Sequence, residues 1–249
     1  MGASFSRANH AMRVAVEASE WCETAKIAAG SALTASKTLV VFDFDCTLAS
    51  LHMFFALRSA EGQTELRQDA DTFFNKVFGG EARRTRLALH LRRLKTAGAT
   101  LVILSNGVEA EINAALTSAG LRDFFSAVMG AETQNAAAAD GKPAMLARIV
   151  LERGSAAPEF LIFLDDDLQN YPGQAFYQYE EPPSEGSCWQ LQVDAKALAA
   201  LSQGKGGAPT KPCTMVAWPV VPAAGVSNEA MDRLEALLGA SGPELPPGL

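Results

Sequence analysis

Three short apolar runs mark the chain, and polar residues follow each of them directly. The runs are Thr38 to Phe42, Thr100 to Leu104 and Phe160 to Leu164. Apolar runs of this length, without alternation, are typical of strands that are buried on both faces of a parallel sheet. A further strand is predicted over Thr214 to Val221, and helical spacing predicts helices over Arg83 to Ala97, Glu109 to Leu116, Ala144 to Leu151 and Asn228 to Leu238. Strands that alternate with helices predict right-handed crossovers. The fold class is therefore α/β, a doubly wound, mostly parallel Rossmann-like sheet with helices on both faces.

The chain divides by composition into a leader, a domain and a tail. We expect residues 1–37 to form an alanine-rich leader with a helix from Asn9 to Ala28. Residues 38–240 are expected to form a single domain. Residues 241–249 are rich in proline and are expected to form a flexible tail.

Two insertions interrupt the predicted domain. Residues 49–80 are too few for a large cap and predict a small cap or flap. Residues 171–213 are rich in Pro, Gly and Ser and predict a long loop insertion with a helical stretch near Asp194 to Leu201. A connection of that length is more than two neighbouring elements need, which indicates a function of its own or disorder.

Composition narrows the class of protein. With 249 residues, of which 48% are hydrophobic, the chain is long enough to bury one sizeable core. The net charge is -7, and the one basic cluster, between Arg83 and Lys95, alternates with leucines as the polar face of a helix does. Nucleic acid is therefore not expected as a partner. The four cysteines lack paired or metal-type spacing and no apolar run has the length of a membrane span, so we expect a cytoplasmic protein.

The polar residues that follow the strands form four short segments. They are Asp43-Phe44-Asp45-Cys46-Thr47, Ser105-Asn106, Lys142-Pro143 and Asp165-Asp166-Asp167. Ligands of open α/β sheets bind outside the carboxyl ends of the strands, so the first, second and fourth segments should meet at one edge of the sheet. Carboxylates, a hydroxyl and a lysine would then converge where chemistry is expected.

In this order the four segments resemble those of the haloacid dehalogenase-like hydrolase superfamily, in its phosphatase branch with a minimal cap. The resemblance implies that Asp43 is the nucleophile, forming an aspartyl-phosphate, and that Asp45 is the general acid and base. Dehalogenases of the superfamily lack the second aspartate, so Asp45 favours phosphate esters. The function expected is magnesium-dependent hydrolysis of a phosphate monoester.

The resemblance also implies the residues that bind. Substrate would be bound by Thr47, Ser105, Asn106 and Lys142. The metal, Mg²⁺, would be held by Asp43, Asp45, Asp165 and Asp166, because this ion prefers hard oxygen ligands. The substrate expected is a phosphorylated small molecule or a phosphoprotein.

Each segment alone also has a plain structural interpretation. The pattern from Asp43 to Thr47 occurs in turns and helix caps, Ser105-Asn106 can simply end a strand, and Lys142 can be a surface lysine before a helix. The functional interpretation depends on the four segments occurring together in the family's order. A phosphotransferase that uses the same intermediate, and a non-catalytic binding module with the same fold, remain alternatives.

A few residues near the segments attract attention. Cys46 is interpreted as a bystander, and His52 as a packed or surface histidine rather than a substrate contact. The three tyrosines of the chain, Tyr171, Tyr177 and Tyr179, follow the fourth segment, and we expect them either to line the rim of the pocket or to pin the loop to the core.

The first residues of the chain match an acylation pattern. Met1-Gly2-Ala3-Ser4-Phe5-Ser6 fits N-myristoylation at Gly2. Peripheral membrane association would require this modification, and one acyl chain alone holds a protein only marginally.

Overall fold

The structure of the chain, a computed structural model, describes residues 24–26, 32–136, 141–153, 156–171, 189–193, 213–220 and 224–240. Several expectations fall outside the described residues and stay predictions. They concern Gly2, most of the leader helix, Tyr177, Tyr179, the helical stretch near Asp194 to Leu201, and the tail.

The elements alternate along the chain as the apolar pattern predicts. The strands are β1 Thr24–Lys26, β2 Thr38–Phe42, β3 Thr100–Leu104, β4 Ala127–Met129, β5 Phe160–Asp165, β6 Trp189–Val193 and β7 Cys213–Pro219. The helices are α1 Met53–Arg58, α2 Ala60–Gln68, α3 Ala70–Val77, α4 Glu81–Thr96, α5 Glu109–Ser118, α6 Ala131–Ala136, α7 Gly141–Glu152 and α8 Asn228–Leu237.

The described strands form one sheet in the order β1-β6-β7-β5-β2-β3-β4. The five strands from β7 to β4 run parallel. The strands β6 and β1 are added antiparallel at one edge. The strand order changes direction around β2 and β5, so their carboxyl ends flank the crevice in which doubly wound sheets bind ligands.

Successive residues of the central strands enter two different cores. Val40 and Phe42 of β2 pack in the cluster that contains α4, α5 and α8. Leu39 and Val41 pack on the opposite face, against α7. The strand is buried on both faces because its side chains alternate between two helical layers. The predicted α/β class, with helices on both faces, is confirmed.

The edge of the sheet differs from the prediction. Thr24–Lys26 is a strand, although the leader was predicted to be helical as far as Ala28, and its backbone pairs with Trp189–Val193. The latter lies inside the segment predicted to be a loop. An unpaired strand edge offers a row of backbone donors and acceptors, and pairing with it outweighs the helix propensity of an alanine-rich stretch. The division into leader, domain and tail stays a prediction.

A small helical cap connects β2 to α4. Its three helices, α1 to α3, begin and end close together, because Ser50 binds the carbonyl of Val77 through both its backbone N–H, at 2.9 Å, and its hydroxyl, at 3.0 Å. Phe73 and Phe78 anchor the cap in the main core. Among the helices of the described residues, none has the length and apolar content that a membrane crossing requires.

Arg83 of α4 joins three separate segments. Its Nη1 donates to the carbonyls of Leu48 and Phe78, at 3.0 Å each, and its Nη2 donates to the carbonyl of Val226 at 3.2 Å. Gly225 allows this approach, since a Cβ there would lie 2.4 Å from Nη2. The guanidinium therefore connects the turn after β2, the end of the cap and the segment before α8.

We expect Arg83→Met to lower the free energy of unfolding by about 3 kcal/mol, because three partly buried carbonyls lose their donor. Urea unfolding measures the change. Arg92→Met is the matched control, since Arg92 is exposed on the same helix and its replacement should cost less than about 0.5 kcal/mol. Equal losses in the two variants would contradict the assigned role of Arg83.

Candidate active site

A cavity of about 630 Å³ opens at the carboxyl ends of β2, β3 and β5. The residues around it come from the four sequence segments and from the cap. They are Asp43, Asp45, His52, Phe54, Phe55, Ser105, Asn106, Gly107, Lys142, Asp166, Asp167 and Asn170. The structure thus brings the segments together at the sheet edge where the pattern predicts them.

Lys142 lies between two carboxylates at this edge. Its Nζ is 2.7 Å from Asp43 Oδ1 and 2.7 Å from Asp165 Oδ2, and all three side chains are buried. Burial alone would lower the pKa of Lys142, but the two carboxylates outweigh it and the pKa is raised. The lysine therefore stays charged. It enters the site from the first turn of α7, after Gly141, whose φ of 81° favours glycine.

Hydrogen bonds fix both the side chain and the backbone of Asp165. Its Oδ1 accepts from the backbone N–H of Asp167 at 2.8 Å and from Asn170 Nδ2 at 2.9 Å. Its own N–H donates to the hydroxyl of Tyr171 at 2.9 Å. With Lys142 on Oδ2, the carboxylate has little capacity left for another ligand. Asp165 thus serves as the anchor of the lysine.

Tyr171 is buried, with 1% of its surface exposed, and packs against Phe163 on the face that α7 covers. Of the two alternatives left open for Tyr171, the structure shows the one in which the residue pins the chain to the core. The short 3-10 turn Leu168–Asn170 carries the chain back beneath the sheet edge, where the ring fills the core and the hydroxyl meets the Asp165 backbone. Burial raises the pKa of Tyr171 well above its usual range, so the hydroxyl stays neutral.

Thr47 contacts the site from the protein interior. It is fully buried and is absent from the residues around the cavity, and its hydroxyl donates to Asp166 Oδ1 at 3.2 Å. Its hydroxyl faces Asp166, and the expectation that Thr47 binds substrate stays a prediction. Asp166 is half-buried, and it is turned toward the cavity.

Asp45 contacts the residues at the start of the cap. Its Oδ1 accepts from the backbone N–H of Met53 at 2.7 Å, and its Oδ2 lies 3.3 Å from Nδ1 of His52. Both carboxylate oxygens thus have partners at the start of the cap, and the metal-binding role expected of Asp45 stays a prediction. Burial raises the pKa of Asp45, and His52 opposes that rise. A carboxyl with a raised pKa suits a general acid.

Ser105 and Asn106 are held by a residue that the sequence did not single out. Gln134 of α6 donates through Nε2 to the carbonyl of Ser105 at 2.7 Å and to Oδ1 of Asn106 at 3.2 Å. Ser105 Oγ accepts from the N–H of Gly107 at 3.1 Å, which leaves the hydroxyl proton available to the cavity. No sequence signal marks Gln134, because its element follows a three-residue strand that the apolar pattern did not predict.

The donor set fits a divalent cation. Oxygen atoms of Asp43, Asp165 and Asp166 all lie within 4.8 Å of one another. Three carboxylates and the Lys142 ammonium leave two negative charges, which one divalent ion would balance. Burial raises the pKa of Asp43 well above its usual range, and Lys142 opposes this only in part. A further cation would therefore favour the anionic form that a nucleophile needs, and hard oxygen ligands suit Mg²⁺.

A second group with ligand-type side chains lies between α4 and α8, formed by His90, Asp232 and Glu235. Both oxygens of Glu235 are already engaged, one with His90 Nδ1 and the other with Arg93 Nη1 at 3.1 Å. The charge of Arg93 offsets that of the carboxylate. We assign this group the structural role of joining the two helices.

Cys46 occupies the tightest point of the turn that carries the first segment. Its φ is 57°, a left-handed value that among the described non-glycine residues is found only here. The segment before α8 fixes the turn, because the N–H groups of Gly225 and Val226 donate to the carbonyls of Cys46 and Thr47 at 2.9 and 2.6 Å. Burial, with the nearby carboxylates, raises the pKa of the Cys46 thiol to about 11, so the side chain stays neutral and is a poor nucleophile.

We expect Cys46→Gly to be more stable than Cys46→Ala by about 1 kcal/mol. A left-handed residue with a Cβ carries a strain of about 1–2 kcal/mol, part of which the flexibility of unfolded glycine offsets. Alanine is the matched control, since both variants remove the thiol and only one keeps the Cβ. Urea unfolding gives the difference, and a more stable alanine variant would refute the strained backbone at this position.

Comparison with known proteins gives structural matches at low similarity. No protein-family model matches the chain, and no curated protein does. Among solved structures, the HAD domain of the effector protein Lem4 from Legionella pneumophila matches at 14% identity and a TM-score of 0.38, over 70% of this chain and 88% of that one. A structure described as a dehalogenase matches at 17% identity and a TM-score of 0.37, over 64% of this chain and 90% of that one.

Similarity this low identifies neither an activity nor a substrate. Three features of the chain itself are more informative. They are the parallel sheet, the small cap after β2 and the four segments at one sheet edge. These features carry the resemblance to haloacid dehalogenase-like hydrolases that the four segments predict.

Proposed function

We propose that this protein is a magnesium-dependent phosphatase that hydrolyses a phosphate monoester through an aspartyl-phosphate on Asp43. One observation carries the proposal. A buried lysine bridges Asp43 and Asp165 at the cavity floor, while a second carboxyl with a raised pKa, Asp45, faces the same cavity. These groups would supply the anionic nucleophile, the proton donor and the cation for the phosphate oxygens that the proposed reaction requires.

In the first half-reaction, an oxygen of Asp43 attacks phosphorus and the bond from phosphorus to the ester oxygen breaks. Asp45 gives its proton to the departing oxygen, which leaves as an alcohol. Lys142 and the hydroxyl of Ser105 stabilise the charge on the transferred phosphoryl oxygens, which is where phosphoryl transfer needs it.

In the second half-reaction, Asp45 is a carboxylate and takes a proton from water. The water oxygen bonds to phosphorus, and the bond from phosphorus to the Asp43 oxygen breaks. Inorganic phosphate leaves, and both aspartates return to their starting states. The same side chain thus serves as acid and then as base, consistent with its position at the cavity.

Asp43 and Asp166 are the residues that would hold the metal, since Asp165 is already bound by Lys142, Asp167 and Asn170. The ion supplies positive charge that reduces the repulsion between an anionic nucleophile and an anionic substrate.

We expect Asp43→Asn to lower phosphate release from 4-nitrophenyl phosphate by roughly 10³-fold or more, the scale on which rate falls when a nucleophile is removed. Asp45→Asn should lower it by about 10²-fold to 10⁴-fold, the contribution of a general acid and base. Asp167→Asn is the control, because this exposed side chain caps the N–H of Gln169, an amide oxygen can do the same, and the leaving group of this ester carries no carboxylate or phosphate for Asp167 to repel. Near-normal release by a folded Asp43→Asn protein would exclude the mechanism.

Metal binding should depend on Asp166 more than on Asp165 or Asp167. We expect Asp166→Asn to raise the Mg²⁺ concentration that gives half-maximal activity by about tenfold or more. Asp165→Asn should mainly lower the maximal rate, because Lys142 loses a partner. Calorimetric titration with Mn²⁺ provides a readout that is independent of turnover. If Asp167→Asn weakened Mn²⁺ binding as much as Asp166→Asn, the assignment of the ligands would be off by one residue.

A further inference from the structure

Phe55 is the large apolar side chain that the described part of the chain leaves exposed, at 65% of its surface. A lone exposed apolar residue on a protein surface needs no explanation. Phe55, however, borders the cavity that contains Asp43 and Lys142. An exposed ring at the mouth of a candidate active site is placed to meet whatever enters it.

The neighbours of Phe55 form an aromatic platform, defined here as His52, Phe54 and Phe55. The ring centroids of His52 and Phe55 are 4.4 Å apart. The rings of Phe54 and Phe55 meet edge to face, with their centroids 5.5 Å apart. The guanidinium of Arg58 lies 3.6 Å from the centroid of the Phe54 ring. Arg58 is itself fixed, since it donates to the carbonyl of Phe54 at 3.1 Å and reaches Glu111 at 3.5 Å. Arg58 therefore supports the platform at Phe54, while Phe55 remains exposed to solvent.

The platform is attached to the residue that would protonate the leaving group. His52 Nδ1 is 3.3 Å from Asp45 Oδ2, and the N–H of Met53 binds Asp45 Oδ1 at 2.7 Å. The leaving oxygen must lie next to Asp45 for the proton to pass. The group attached to that oxygen therefore extends toward the platform.

Charge at the cavity restricts that group further. Apart from Lys142, which bridges Asp43 and Asp165, and from His52, the ionisable side chains around the described cavity are acidic. A divalent ion on Asp43 and Asp166 would leave the exposed carboxylate of Asp167 at the same opening. This charge would repel a leaving group that carried its own carboxylate or second phosphate.

We propose that the substrate is a phosphate monoester whose leaving group carries an uncharged planar aromatic ring, and that this ring stacks on Phe55. The proposal rests on the phosphatase function proposed above and adds the class of substrate. Stacked and edge-to-face ring pairs contribute affinity beyond the burial of apolar area, which gives the platform a basis for discrimination.

The test compares benzyl phosphate with cyclohexylmethyl phosphate. Both esters release a primary alcohol and have similar size, so the comparison isolates the planar ring from leaving-group reactivity and bulk. We expect kcat/KM to favour the benzyl ester by about fivefold to tenfold in the full chain. Phe55→Leu, which keeps an apolar side chain without a ring, should bring the ratio close to one, and Phe55→Trp should retain it.

Phe74→Leu is the control, because Phe74 is a half-buried cap residue that packs against Phe73 and does not border the cavity. Its ratio should equal that of the unaltered protein. A phosphotyrosine peptide and a nucleoside 5′-monophosphate, assayed in parallel, distinguish the two common sources of such a ring.

The outcomes separate the two proposals. Hydrolysis of both esters with equal kcat/KM, or a preference that Phe55→Leu leaves unchanged, would overturn the aromatic platform and leave the phosphatase function standing. Absence of magnesium-dependent hydrolysis for every ester, including 4-nitrophenyl phosphate, would overturn both. A preference that is lost in Phe55→Leu and kept in Phe55→Trp and Phe74→Leu would support the proposal.

Discussion

The buried contact of Lys142 with Asp43 and Asp165 is the constraint on which the rest of the site depends. Burying three charged groups carries a large desolvation cost, and removing one of them would leave the others uncompensated. A stable fold alone has no need of such a group, because apolar residues of similar volume would serve it as well or better. The arrangement is therefore better explained by the proposed reaction, which would need a charged lysine and an ionised nucleophile close together.

The positions of these charges are set by parts of the chain that are distant in sequence. The turn after β2 is fixed by N–H groups of Gly225 and Val226, and Arg83 ties the same turn to the end of the cap. On the other side of the crevice, Tyr171 holds the backbone of Asp165 from the core. Each of these supports acts on backbone groups rather than on the Asp43 carboxylate. That carboxylate remains free to face Lys142 and the cavity.

The parallel core and the segments at its edge were predictable, because they depend on local pattern. An apolar run buried on both faces ends where the chain becomes polar, so Asp43, Ser105 and Asp165 could be placed at strand ends from the sequence. The strand Thr24–Lys26 could not be predicted, since three residues carry no periodicity and their state depends on a partner far along the chain.

The directions of individual side chains also could not be predicted from the sequence. Tyr171 follows a strand at the active edge, and whether it lines the rim or turns into the core depends on the path of the turn Leu168–Asn170. The orientation of Asp45 toward Met53 depends on how the cap begins. Gln134 donates hydrogen bonds to the backbone carbonyl of Ser105 and to the side-chain oxygen of Asn106, and such contacts leave no motif in the sequence.

The central claim is that Asp43 becomes covalently phosphorylated. Borohydride reduces an acyl phosphate to an alcohol, so quenching the protein during turnover of a phosphate ester with Mg²⁺ should convert Asp43 into homoserine, which peptide mass spectrometry identifies by position. The account predicts homoserine at position 43 that requires both substrate and Mg²⁺, and that is absent from Asp43→Asn. Phosphate release without any reduction product at this residue, or with one at another aspartate, would contradict it.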